Sequence, residues 1–203
     1  MRFTELDAVT VDAYGTLVQL VDPVPALREG LLALGVDRDT AAVGRAFAKE
    51  VKYYREHSFE GRDEESLDRL RQECVAIILG ELGVELEPAA FVAGFVAAMR
   101  FELFPGAAEA VDALRARGLA VAVVSNWDVG LGDHIHGLGF PDLPVVTSAE
   151  AGAPKPDPAV FSRALERLRV RPQRTLHVGD SEGDEAGARA AGMHFAPAPL
   201  ATA

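Results

Sequence analysis

Four short segments of this chain combine residue types that can carry out group transfer: Asp12-Ala13-Tyr14-Gly15-Thr16, Ser125-Asn126, Lys155-Pro156, and Gly179-Asp180-Ser181-Glu182-Gly183-Asp184. Asp12 closes a β-favouring run, Ala8-Val9-Thr10-Val11, and is followed by Gly15 and Thr16. A carboxylate in that position can attack phosphorus or carbon through an aspartyl ester, splitting one difficult substitution into two easier ones. Ser125 follows a largely apolar run, where its hydroxyl can donate to a transferring phosphoryl oxygen or cap a helix. Lys155 is one of three lysines, with Lys49 and Lys52, and stands between Pro154 and Pro156 in a stiff loop. An ammonium held there would stabilise equatorial oxygens and the Asp12 carboxylate. Asp180 and Asp184 suit loop solvation or helix N-terminal charge. With Asp12 they also form a set of hard oxygen ligands of the kind Mg²⁺ takes while keeping several waters.

Elements that could hold these groups alternate along the chain. After the run ending at Val11, strand-like stretches occur at Leu119 to Val124, Val145 to Thr147, Arg174 to Val178 and Met193 to Phe195. Helical patterns separate them at Ala107 to Arg117, Leu131 to Leu138, Pro158 to Arg169 and Asp184 to Ala191. Strands alternating with helices imply right-handed βαβ units: an α/β, Rossmann-like parallel sheet with helices on both faces. Ligands then collect beyond the carboxyl ends of the strands, where all four segments fall. Between about Leu20 and Arg100 the pattern changes to successive amphipathic helices, Pro25 to Leu34, Thr40 to His57, Glu64 to Leu82 and Pro88 to Met99, with no strand among them. The expected organisation is a core of residues 1–17 and 101–203 interrupted by an all-helical cap at 18–100. Asp157-Pro158 predicts an N-cap followed by proline at the first helical position, and Gly118 and Gly192 predict helix ends.

Composition narrows the function classes. The chain has 203 residues, 49 % of them hydrophobic, enough for a full core. Its formal charge of −11 opposes non-specific binding to nucleic acid or an anionic membrane, so the expected partner is a small molecule, itself anionic and held by short-range contacts. No apolar run approaches the roughly eighteen residues of a membrane span, and Met-Arg-Phe-Thr-Glu-Leu lacks a signal-peptide profile. The single cysteine, Cys74, lies on a predicted helix face and allows no intrachain disulfide. A reducing, cytoplasmic location is expected. The Ala/Pro-rich tail after Phe195 is expected to be mobile.

Taken in order, each at a strand end, the four segments resemble the haloacid dehalogenase-like superfamily, whose members are mostly phosphatases, in its subclass with a helical cap inserted after the first motif. The resemblance covers nearly the whole chain. It implies that Asp12 is the nucleophile, that Ser125 and Lys155 assist it, and that Thr16, Ser125, Asn126 and Lys155 bind substrate. It also implies an Mg²⁺ ion held by Asp12, Asp180, the backbone carbonyl of Tyr14 and Asp184, the last directly or through water.

The chain departs from the phosphatase pattern at one position. Most phosphatases of this class carry a second Asp two residues after the nucleophile, to protonate the leaving alcohol; here that residue is Tyr14. A positioned acid–base group contributes a factor of about 10²–10⁴, so ordinary phosphomonoester turnover is expected to be slow. The run Asp12-Ala13-Tyr14-Gly15-Thr16 is similar to the first motif of L-2-haloacid dehalogenases, which need no leaving-group proton. Those enzymes, however, carry a tyrosine where Phe161 stands and Ser-Ser-Asn in place of Gly179-Asp180-Ser181, and they use no metal. Phosphonoacetaldehyde hydrolase also lacks the second Asp and uses a cap lysine, a role open here to Lys49 or Lys52. The leading expectation is an Mg²⁺-dependent phosphatase acting on a small phosphorylated metabolite through an aspartyl-phosphate. The rivals are a dehalogenase-like enzyme and a non-catalytic binding or regulatory protein on the same scaffold. His134 and His136, two apart, are expected to point to different faces rather than pair as ligands, and Trp127 to pack.

Overall fold

The structure is a computed structural model that describes residues 6–198. In chain order it contains β1 (Ala8–Val11), β2 (Val18–Leu20), α1 (Val24–Ala33), α2 (Thr40–His57), α3 (Glu64–Glu81), α4 (Ala89–Ala98), β3 (Phe101–Leu103), α5 (Ala107–Ala116), β4 (Ala120–Ser125), α6 (Leu131–Gly137), β5 (Val145–Thr147), α7 (Ser148–Ala151), α8 (Ala159–Leu168), β6 (Thr175–Gly179), α9 (Glu182–Ala190) and β7 (His194–Pro197). The chain divides into two compact units, one running to Gln19 and resuming at Glu102, the other spanning Leu20–Phe101.

The first unit is built on a five-stranded parallel sheet in the order β5-β4-β1-β6-β7. Its central strands β1 and β6 are buried along their full length, as a sheet covered on both faces requires. β1 lies between β4 and β6, with Val11 level with both Val123 and Val178. The carboxyl ends of these three strands therefore meet, and the chain crosses from one side of β1 to the other there. Such a reversal of strand order opens a crevice. The Asp157-Pro158 helix start is shifted by one residue: Pro158 is the cap residue, and Asp157 accepts from the Ala159 amide at 2.8 Å. α9 begins two residues earlier than the apolar pattern predicts, because Ser181 and Asp184 form a reciprocal capping box. Gly118 and Gly192 follow their helices with φ near +79°, the left-handed conformation that ends a helix. The predicted mobile tail is partly ordered: Ala196 and Pro197 belong to β7, and the Ala198 amide donates to Gly179 O at 2.8 Å. Its remaining residues, 199–203, and the opening residues 1–5 lie outside the described residues.

The second unit holds α1 to α4 around a core that includes Leu27, Leu31, Val43, Leu70, Ile78 and Phe91. Asp39 caps α2 and Asp63 caps α3 in a box with Ser66, which is why both helices start where the sequence signals them. Phe47, Tyr53 and Tyr54 pack against this core. Lys49 is exposed and paired with Glu81, and Lys52 is exposed. Neither has the desolvated pocket that Schiff-base chemistry calls for. β2 and β3 form a two-stranded sheet that the apolar pattern did not predict. No helix among the described residues is long and apolar enough to cross a membrane.

Candidate active site

Three sheet strands bring the segments together. Asp12 leaves β1 with its amide bonded to Val178 O at 2.8 Å, and its side chain is buried. Ser125, the last residue of β4, donates to Asp12 Oδ1 at 2.9 Å, so it serves the carboxylate and caps no helix. Lys155 Nζ donates to the same oxygen at 2.6 Å and to Asp184 Oδ1 at 2.5 Å. Among the described residues both donors to the Asp12 carboxylate use Oδ1, and Oδ2 has no protein donor. Burial opposes the charge on Lys155, but the Asp12 and Asp184 carboxylates outweigh it and push its pKa above the ordinary lysine value. The ammonium is therefore permanently charged near neutral pH.

The Lys155 main chain is held as firmly as its side chain. Asn126, expected on substrate, turns its carboxamide to this loop: Oδ1 accepts from the Lys155 amide at 2.7 Å and Nδ2 donates to the Lys155 carbonyl at 3.2 Å. Phe161 lies 6.0 Å from Nζ, measured to the ring centroid, and is fully buried. Thr16, also expected on substrate, is buried, and its Oγ1 has no hydrogen-bond partner.

Asp184 is saturated with donors. Its Oδ1 accepts from Lys155 and from His177 Nε2 at 3.0 Å, and its Oδ2 from the Ser181 amide at 3.1 Å and the Ser181 hydroxyl at 2.5 Å. These four donors fill the lone-pair sites a carboxylate offers. Burial alone would raise its pKa, but the His177 hydrogen bond, the Lys155 charge and the Ser181 contact together hold it far below the ordinary carboxylate range. Asp180 is the opposite case. It is exposed and forms no salt bridge among the described residues, and partial burial together with the charges of Asp12 and Asp184, only partly offset by Lys155, raises its pKa. Its Oδ2 lies where a side chain on Gly15 would be, only 2.2 Å from the ideal Cβ position. Gly15 has φ +89°, so glycine is required there both by conformation and by the carboxylate beside it.

Asp12, Asp180 and Asp184 each place a carboxylate oxygen within 4.8 Å of the others. Three carboxylates against one ammonium leave an excess of two negative charges; with Asp184 already holding four donors, the oxygens left for an ion are those of Asp12 and Asp180, and these hard donors fit Mg²⁺. Tyr14, two residues after Asp12, is 44 % exposed. Trp127 is buried, and His134 packs against it with ring centroids 6.3 Å apart, while His136 is exposed on α6. Sequence reasoning missed His177, Ser181 and Thr10. Their one signal is a polar residue within a strand buried on both faces, or the Ser-x-x-Asp spacing of a capping box.

The alignment to "Haloacid dehalogenase-like hydrolase domain-containing protein 3" of Bos taurus is 44 % identical over 97 residues, covering 46 % of this chain and 39 % of that protein. A phosphoglycolate phosphatase of Nitrosospira multiformis is 38 % identical over 95 residues, 45 % of this chain and 41 % of its own. The chain thus spans about two fifths of the length of the curated relatives it matches. Among solved structures, L-2-haloacid dehalogenase from Xanthobacter autotrophicus, with chloropropionic acid covalently bound, superposes with a TM-score of 0.69 at 26 % identity, covering 95 % of this chain and 77 % of that one. A defluorinating L-2-haloacid dehalogenase reaches 0.74 at 21 % identity over 94 % of this chain and 80 % of its own, a likeness of fold. The haloacid dehalogenase-like hydrolase family matches residues 6–192, which takes in all four segments, and the chain belongs to that family.

Proposed function

We propose that the chain is an Mg²⁺-dependent phosphatase that transfers the phosphoryl group of a small, anionic metabolite to Asp12 and then to water. The observation that carries this reading is Asp180, a carboxylate without a salt bridge among the described residues, close to the buried Asp12–Lys155–Asp184 cluster. One ammonium leaves two of the three negative charges unbalanced, so the arrangement calls for a second cation, and L-2-haloacid dehalogenases do without such an aspartate.

In the first step Asp12 attacks phosphorus, and the leaving oxygen departs with the electron pair of the broken P–O bond. In the second, water attacks the aspartyl-phosphate, inorganic phosphate leaves, and the Asp12 carboxylate is restored. Lys155 and Ser125 hold Oδ1 of the nucleophile and present donors to phosphoryl oxygens as charge spreads over them. Asn126 keeps the Lys155 loop in register. Mg²⁺, held by Asp12, Asp180 and the Tyr14 carbonyl with Asp184 behind them, would screen the repulsion between the nucleophile and an anionic substrate. Tyr14 supplies no carboxyl proton, so substrates that leave as stable anions, aryl and acyl phosphates, are the ones expected to turn over well.

A second reading, carbon–halogen hydrolysis, is favoured by the Asp12-Ala13-Tyr14-Gly15-Thr16 run and by the structural likeness to L-2-haloacid dehalogenase. Against it stands Phe161, which is fully buried and has no hydroxyl. Assaying para-nitrophenyl phosphate and 2-chloropropionate with Mg²⁺ and with chelator separates the two. Phosphate release that disappears with chelator supports the first reading; halide release that persists in chelator overturns it. The relatives named phosphoglycolate phosphatase make phosphoglycolate a sensible early substrate to include.

A further inference from the structure

Two strands of the sheet carry polar side chains where burial on both faces favours apolar ones. Thr10 on β1 and His177 on β6 are register partners, and neither is exposed to solvent. Their side chains meet, with Thr10 Oγ1 2.9 Å from His177 Nδ1, and the other ring nitrogen, Nε2, lies 3.0 Å from Asp184 Oδ1. The direction of both bonds follows from inventory. An ionised carboxylate only accepts, so Nε2 carries the proton; in a neutral ring Nδ1 then accepts, and the Thr10 hydroxyl donates. Phe161 meets the imidazole edge-on at 4.8 Å and 82°, and Phe195 flanks it at 6.4 Å, so these two rings wall it with apolar surface.

We propose that His177 is a positioning residue: its Nε2–H, aimed by the contact of the Thr10 hydroxyl with Nδ1, fixes the Asp184 carboxylate and through it the Lys155 ammonium beside Asp12. His177 and Lys155 bond to the same oxygen of Asp184, while Ser181 holds the other, so the carboxylate is clamped at both ends. Loss of the His177 donor leaves a buried acceptor half satisfied and frees the carboxylate to turn about its Cβ–Cγ bond. Lys155 is carried with it, away from the position that serves Asp12. The effect on turnover rests on the phosphatase reading above; the effect on hydrogen bonding and metal affinity does not.

The test begins with histidine labelled at both ring nitrogens. The His177 signals, identified by their loss in His177→Phe, should show a protonated Nε2 and an unprotonated Nδ1; the opposite tautomer overturns the proposal. His177→Phe keeps a ring between Phe161 and Phe195 but cannot donate. It should lower both Mg²⁺ affinity, read by calorimetric titration without substrate, and kcat, each by about 10–100-fold, the usual consequence of losing an outer-shell partner. His177→Gln, which retains an amide donor, should recover most of both. Wild-type Mg²⁺ affinity and kcat in His177→Phe, or His177→Gln as impaired as His177→Phe at matched folded fraction, would sink the proposal. Absence of phosphatase turnover in the wild type would sink the functional reading alone, since the nitrogen signals and the Mg²⁺ titration still decide the role of His177.

Discussion

Glu50 should make the stability of this protein fall as pH rises from about 4.5 to about 7. It lies on the buried stripe of α2 with Val43 and Ala46 and is 3 % exposed, at a position where the helix pattern calls for an apolar residue. Burial pushes its carboxyl from 4.5 up to about 7, partly offset by a hydrogen bond with the Cys74 side chain on α3. Between those values the folded chain holds a proton that the unfolded chain has released. The contribution is therefore complete below pH 4.5, declines across the window, and is gone above about pH 7. At 1.36 kcal/mol per pH unit the window corresponds to at most about 3 kcal/mol. Glu50→Gln keeps the shape and removes the charge. Urea unfolding followed by far-ultraviolet circular dichroism, on both proteins at pH 5 and pH 8, isolates this group because all others titrate alike in the two. The variant should gain on the wild type between pH 5 and pH 8, by up to that amount. A stability difference that is the same at both pH values would refute the reasoning and show that Glu50 is hydrated in the folded protein.

Gly15→Ala forces a side chain into a left-handed residue and onto Asp180; a stability loss of roughly 1–2 kcal/mol from conformation alone, with a raised Mg²⁺ requirement, is expected in thermal melts and metal titrations, and an unchanged Mg²⁺ requirement would contradict the close packing. Asp180→Ala should raise the Mg²⁺ concentration needed for activity while leaving the Asp12–Lys155 pair intact, so an unaltered titration curve would remove Asp180 from the ligand set. Asp12→Asn should abolish turnover without unfolding the chain, and residual wild-type rates would exclude Asp12 as the nucleophile. Tyr14→Asp should raise alkyl-phosphate turnover, by at most about 10²–10⁴, relative to para-nitrophenyl phosphate; equal wild-type rates on the two substrates would show that another group already supplies the proton.

Much of this architecture is local and therefore readable along the chain. Val145 to Thr147 and Thr40 to His57 appear with the boundaries their patterns predict, the helix because Asp39 caps it and its apolar stripe repeats. Asp12, Ser125, Lys155, Asp180 and Asp184 could be picked out because each stands at or just beyond the end of an apolar strand or in a proline-stiffened loop, where ligands gather. The pairing of β2 with β3 escaped the pattern: each strand has three residues, and their union depends on chain ends more than eighty residues apart in sequence. Asn126 shows the same limit, since a strand-end amide reads equally well as a substrate contact or as the clamp it forms on Lys155. Thr10 and His177 show it most clearly. Each alone is an odd polar residue in an apolar strand; only the parallel register of β1 against β6 joins them, and only the capping box of α9 brings Asp184 to the far ring nitrogen. Hydrophobic period and caps act over a few residues and are written locally, whereas a hydrogen bond between residues 167 apart exists only once the sheet closes and seals both polar side chains away from water.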